Sequence, residues 1–170
     1  MKRVALVYYS RSGNTKSLAQ KVHVFLNERG FQADDCELVP ERKLKMIPGI
    51  FKGAKGASVP LEKGFKFEKA AYDLVVVMGP VWASSNTPVI NAFYENYCNE
   101  GSRYAIVTTS ADLKASLNPI NNQIDKIASF KANVAFSEAF KGPELKIEEK
   151  LNEAALKLVG KIEESISKME

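Results

Sequence analysis

Along the chain, short runs of consecutive apolar residues alternate with longer stretches in which apolar residues recur every three or four positions. The runs RVALVYY (Arg3 to Tyr9), DLVVVMG (Asp73 to Gly79), YAIVTTS (Tyr104 to Ser110) and NVAFSEA (Asn133 to Ala139) have the length and composition of strands. FQADDCELV, from Phe31 to Val39, reads as a weaker strand at a sheet edge. Near-continuous apolar runs, unlike alternating ones, predict strands covered on both faces. Helical patterns lie between them. Leu18, Val22, Phe25 and Leu26 share one helical face, Pro88 opens a second helix through Tyr97, and Ile120, Ile124 and Ile127 mark a third. The last helix is predicted over Glu144 to Lys168, with Ile147, Leu151, Ala154, Leu158, Ile162 and Ile166 as its buried stripe.

Strands that alternate with helices imply right-handed crossovers, and therefore a parallel sheet held between two helical layers. The expected fold is a doubly wound, three-layer α/β/α domain with five strands. In such sheets ligands bind beyond the carboxyl ends of the strands, at the point where the winding reverses, so functional residues should follow strands. The length of 170 residues and the 45% hydrophobic content fit one domain. No internal repeat or low-complexity tract interrupts it, but the stretch from about 40 to 69 reads as an insertion before the third strand. Within it Ile50, Phe51, Ala54 and Ala57 fit one short amphipathic turn of helix.

Charge changes the picture in that insertion. The chain carries +4 overall, yet Pro40 to Lys69 holds eight basic residues against Glu41, Glu62 and Glu68, so the segment carries +5 and the remainder −1. A solvated loop is the favoured reading over nucleic-acid binding, because aromatic residues are not interleaved with the charges as base stacking requires. The segment is also a candidate lid or partner surface, with Lys52 and Lys55 placed to attract an anion. Ile50 and Phe51 are expected to pack onto the domain or onto a second copy of the chain, as in a homodimer. The basic N-terminus precedes an apolar run too short for a signal peptide, and no stretch approaches the ~20 apolar residues of a membrane span. A cytoplasmic protein without membrane attachment is the expectation. Cys36 and Cys98 have neither redox nor metal-ligand spacing and read as buried thiols.

Candidate chemistry is concentrated just after the first strand. In SRSGNT, Ser10 to Thr15, three hydroxyls surround a glycine before a helix that begins near Asn14. The N-terminus of a helix presents unsatisfied N–H groups and partial positive charge, which favour an anion such as phosphate. Ser10, Ser12 and Thr15 can donate from their hydroxyls, and Gly13 allows close approach or positive φ. A simple helix cap needs only one hydroxyl, so three exceed that need. The stretch is neither a Walker loop nor a GxGxxG fingerprint, and no Cys leads it toward an Arg as in a phosphatase loop. A stable phosphate anchor is the reading.

With those residues, YYSRSGNT resembles the phosphate-binding loop of flavodoxins and flavodoxin-like flavin mononucleotide (FMN) oxidoreductases, and YDLVVVMGPVWASSNTP resembles their third strand and flavin loop. The resemblance extends over most of the chain, including the strand from Tyr104 and the long last helix, and is least diagnostic over Pro40 to Lys69. It implies the flavodoxin-like strand order and a phosphate held by Ser10, Arg11 (through its backbone), Ser12, Gly13, Asn14 and Thr15. It implies further that Pro80, Val81, Trp82, Ala83 and Asn86 border the isoalloxazine ring. Trp82 can pack on the ring or serve the core, and Asn86 can meet flavin or act with Thr87 as a cap before Pro88. In TTSADLKASLNP, Thr109, Ser110, Ala111 and Asp112 would border the ribityl and pyrimidine groups. That segment lacks an aromatic, so one ring face is expected to be open or covered by another segment.

No Ser/His/Asp arrangement and no metal-ligand cluster is legible, and His23, inside the first helix, suits a boundary position. Redox chemistry would then belong to the cofactor and no side chain is assigned as catalytic. The expected function is an FMN-dependent oxidoreductase passing electrons from NADH or NADPH to a small acceptor such as a quinone or flavin. The alternatives are a flavodoxin-type electron carrier between proteins and a non-catalytic flavin-binding module. Carriers in that family tend to be acidic, whereas this chain has a pI near 9.0.

Overall fold

A computed structural model describes residues 1–45, 48–49, 52–53, 55–68 and 71–168. Five strands, β1 (Arg3–Tyr8), β2 (Gln32–Glu37), β3 (Leu74–Pro80), β4 (Arg103–Ser110) and β5 (Asn133–Lys141), form one sheet in the order β2-β1-β3-β4-β5. Every pairing is parallel. The helices α1 (Asn14–Glu28), α2 (Pro88–Tyr97), α3 (Leu117–Ser129) and α4 (Glu148–Ser167) cover its faces. The order agrees with the flavodoxin-like expectation, with the reversal of winding between β1 and β3.

The two-residue period of the strands divides the core into two layers. Val4, Leu6 and Tyr8 of β1 join Val76, Met78 and Val107 beneath α1 and α4, whose Leu18, Val22, Leu26, Leu158 and Ile162 are buried there. The intervening Ala5, Val7 and Tyr9 face the other way, with Val75, Val77 and Ile106, against Val89, Ile90, Phe93 and Tyr94 of α2 and Ile127 of α3. The central strands β1, β3 and β4 are buried almost throughout, which is why their sequences lack polar alternation. Edge strands β2 and β5 are only partly covered.

Two expectations need correction. The last helix starts at Glu148 rather than Glu144, since Gly142–Lys146 forms a separate 3-10 turn with a proline in its first positions. Ile147, between them, is extended (φ −93°, ψ 118°) and 56% exposed, so it lies outside the buried stripe. The insertion is not simply a solvated loop either. Val59 is buried and Leu44, Leu61, Phe65 and Phe67 pack on the α2 side of the core. Phe65 and Phe67 do flank Lys66, but their rings meet Tyr97, Phe93 and Tyr72, so they serve packing. An antiparallel bridge between Pro40 and Leu61, with Glu41 N–H donating to the Pro60 carbonyl at 2.9 Å, pins the start of the insertion to its later part. Of the proposed amphipathic turn, Ile50, Phe51 and Ala54 lie outside the described residues.

Candidate functional site

Strand pairing brings the three polar loops side by side at the carboxyl edge. Tyr8 is in register with Met78, and Pro80 with Thr109, so the residues after β1, β3 and β4 must emerge as neighbours. Two hydrogen bonds stitch them together. The Thr15 and Thr109 hydroxyls lie 2.8 Å apart in the interior, and Val81 N–H donates to the Thr109 carbonyl at 2.9 Å.

The first loop leaves its donors open. Gly13 holds the N-cap position of α1 in the left-handed region (φ 91°), and no side chain caps the helix. The first bond at this end runs from Ser17 N–H to the Gly13 carbonyl at 2.8 Å, so the N–H groups of Asn14, Thr15 and Lys16 have no intrahelical acceptor. Ser10, Gly13 and Asn14 are partly exposed, and Arg11 and Ser12 are exposed. The side chains of Ser10, Ser12 and Asn14 make no hydrogen bond to another described residue. The helix-cap alternative therefore does not account for the three hydroxyls. Only Thr15 is buried, and its hydroxyl is shared with that of Thr109, either of which can be the donor.

The second loop is a tight turn. Trp82 and Ser85 exchange backbone hydrogen bonds, each 3.0 Å, around Ala83 (φ 47°) and Ser84 (φ 57°). Two successive positive φ values suit a type I′ turn, where Gly or Asn is usual; residues with a Cβ are strained there by roughly 1–2 kcal/mol each. Ala83 and Ser84 are exposed at its tip. The Trp82 ring is half-buried, edge-on to Tyr9 at 6.0 Å, with the Arg11 guanidinium 5.6 Å from its centroid. Buried Gly49 of the insertion backs the same ring, since a Cβ there would stand 2.7 Å from it. Asn86 is engaged elsewhere: its amide donates to the Pro119 carbonyl at 3.3 Å and its oxygen accepts from Gln123 at 2.8 Å, both on α3. Gln123 in turn accepts from the buried Tyr94 hydroxyl at 2.7 Å, so Asn86 ties this loop to α3. Thr87 is the cap of α2, its hydroxyl accepting from Ile90 N–H.

The third loop satisfies itself. Ser110 donates to the Asp112 carbonyl at 2.6 Å and lies 3.1 Å from the Ser116 hydroxyl, while the Asp112 carboxylate accepts from Lys114 N–H at 3.0 Å. Ala111 and Asp112 are exposed, which leaves their surface rather than their side-chain hydrogen bonds for a ligand. No aromatic enters from this side, but Leu113 and Leu117 stand exposed just beyond it.

Sequence reasoning missed two contributors. Gly142, after β5, approaches the first loop so closely that a Cβ would lie 3.2 Å from the Asn14 amide nitrogen and 3.7 Å from the Ser110 carbonyl. Gly49 supports Trp82 from inside the insertion. The only available signal was a glycine at a strand end or in a loop, which many turns share. Nucleophilic chemistry has no support among the described residues. Burial, with the Asp34 carboxylate second, pushes the Cys36 thiol up to about 11, which keeps it protonated. No group of His, Cys, Asp and Glu could hold a metal ion among the described residues. His23, about two turns along α1 from the first loop, is half-buried beside Asp35.

Together, the doubly wound sheet, its 2-1-3-4-5 order and the three loops at the switch point define a flavodoxin-like α/β fold. No family model and no curated protein matches the chain. Solved structures of the same fold do. A flavoprotein from Lactobacillus acidophilus NCFM, determined in complex with FMN, superposes with a TM-score of 0.64 at 20% identity, covering 86% of this chain and 97% of that one. A flavodoxin from Streptococcus pneumonia TIGR4 gives 0.57 at 17% identity, covering 94% and 99%. The flavodoxin, WrbA-like protein from Agrobacterium tumefaciens gives 0.61 at 13%, covering 97% and 98%. No helix among the described residues is long and apolar enough to cross a membrane.

Proposed function

We propose that the crevice at the carboxyl edge binds FMN and that the protein is an oxidoreductase drawing on NADH or NADPH. The observation that carries this reading is the uncapped start of α1, with Gly13 in the left-handed region and the Ser10 and Ser12 hydroxyls unengaged. Those groups fit a phosphate monoester, whose oxygens accept from several donors at once. Ser10, Ser12, Asn14 and Thr15, with the backbone of Arg11 and Gly13, would hold the phosphate. Pro80, Val81, Trp82 and Ala83 would border the ring, and the surface of Thr109 to Asp112 its polar edge. When bound, FMN supplies the transfer of two electrons and a proton from a reduced nicotinamide to an acceptor such as a quinone or flavin. The protein's part is to bind and orient. Its phosphate donors anchor one end of the cofactor, and the strained Trp82–Ser85 turn fixes the backbone that meets the other.

An enzyme is favoured over an electron carrier by a cavity of about 540 Å³ lined by the basic insertion, adjoining one of about 400 Å³ that reaches Ser10 and Arg11 of the first loop. A volume in that range suits a small molecule better than the face of a protein partner. The test is to release the cofactor from the purified protein and weigh it, then to add NADH or NADPH anaerobically while following the visible spectrum. One FMN per chain and prompt bleaching are expected. Stoichiometric FAD, or no flavin bound after reconstitution, overturns the reading, and reduction by a protein reductase alone assigns a carrier.

A further inference from the structure

The insertion forms a continuous basic groove beside the crevice. The cavity of about 540 Å³ is lined by Arg42, Lys43, Lys45 and Lys52, with Leu44, Pro48, Val59 and Pro60 as an apolar wall. A second cavity, of about 400 Å³, shares Glu41, Lys43 and Leu44 with it and reaches Tyr9, Ser10 and Arg11 of the first loop. Across both, five cations face only two carboxylates, Glu41 and Glu62.

Several cations on the sheet and helices are held by carboxylates. Lys16 pairs with Glu37 and Arg29 with Glu163, each at 2.6 Å, and Lys157 and Lys161 share Glu138. Arg42, Lys43, Lys45 and Lys52 are exposed and form no ion pair among the described residues. Clustered like charges repel one another, so a concave site that gathers four of them over an apolar wall is suited to a multivalent anion with an apolar body. The groove is also built rather than loose. Glu62 N–H donates to the Val39 carbonyl at 2.9 Å, Gly49 N–H to the Lys45 carbonyl at 3.0 Å, and buried Val59 and Gly49 form its floor.

We infer that this groove receives the phosphorylated adenosine end of the electron donor, and so selects a dinucleotide carrying a 2′-phosphate (NADPH) over one without it (NADH). The inference rests on the proposed nicotinamide reaction and names the donor class. The adenine and ribose lie on Leu44, Pro48 and Pro60, and the phosphate is met by the surrounding cations. The opening past Arg11 directs the rest of the molecule toward the crevice. Lys55, which sequence reasoning grouped with Lys52, does not line the cavity.

Calorimetric titration at low salt of FMN-loaded protein, reduced beforehand with dithionite under anaerobic conditions so that no hydride transfer accompanies binding, tests this with adenosine 2′,5′-bisphosphate, NADPH and NADH as probes. The wild type should bind the bisphosphate saturably and NADPH about tenfold or more tightly than NADH. Lys43→Glu/Lys45→Glu should lose about tenfold or more for the bisphosphate and NADPH, and little for NADH, with FMN content and melting temperature unchanged. Lys55→Glu, the same kind of charge change outside the lining, should have a much smaller effect. Equal affinity for NADPH and NADH, no saturable bisphosphate binding, or equal losses in Lys55→Glu overturn the inference. Repeating the bisphosphate titration on flavin-free protein separates the two claims: binding there without any uptake of FMN keeps the groove and refutes the cofactor reading.

Discussion

Two loops at the same edge, Ser10 to Thr15 and Thr109 to Asp112, both carry hydroxyl residues and behave in opposite ways. The first has an uncapped helix behind it, and its serines have no partner among the described residues. The second uses its own hydroxyl and carboxylate to close a 3-10 turn, with Ser110 and Asp112 each bonded inside the loop. The difference lies in how each strand hands over to its helix. After β1 a left-handed glycine precedes the helix and no side chain caps it; after β4 a β-region residue, Asp112, caps the turn in the ordinary way. Hydroxyl content alone does not make an anion site. Unsatisfied hydroxyls beside an uncapped helix are what the proposed phosphate site has and the third loop lacks.

The largest expected effect comes from stripping the open loop. Ser12→Ala/Thr15→Ala should weaken FMN binding by about 2–4 kcal/mol, since each hydroxyl would bond a charged phosphate, while riboflavin affinity hardly changes. Parallel titrations with the two flavins check it, and equal losses for both would erase the distinction between the loops. Next in size is Gly13→Ala. Nothing lies within 4 Å of the added Cβ, so its cost is backbone strain at φ 91°, about 1–2 kcal/mol in the denaturant midpoint of the flavin-free protein.

The closed loop should respond differently. Asp112→Ala removes a cap and should lower the stability of the flavin-free protein by about 1 kcal/mol, with the ratio of FMN to riboflavin affinity unchanged. A changed ratio would show that this loop also addresses the phosphate. The smallest effect is expected at the Trp82–Ser85 turn. Ser84→Gly relieves left-handed strain but adds flexibility to the unfolded chain, for a net gain of roughly 0.5–1 kcal/mol read from thermal melts.

Much of the fold was legible because burial leaves a local trace. The near-continuous Val77 and Ile106 runs identified central strands, and Leu158 with Ile162 identified the last helix, since a buried face needs apolar residues at the period of its element. The start of that helix was misjudged because Ile147 fits the helical period although its backbone is extended. Phe65 and Phe67 were passed over because a loop's packing has no period to read.

For the site, the sequence by itself determined the first loop. The order of hydroxyls, glycine and helix is contained in six adjacent residues, and a helix terminus is a local object. It also placed Trp82 after the third strand. Only the tertiary structure decided which donors stay open, because satisfaction of a hydrogen bond depends on neighbours distant in the chain. Thr15 meets Thr109 across 94 positions, Asn86 is drawn to Gln123 of α3, and Gly142 makes room for Asn14. The same holds for the basic insertion, whose charge was plain in the sequence. Its concave shape and its opening onto Arg11 arise from the pairing of Pro40 with Leu61, a contact that no local pattern encodes.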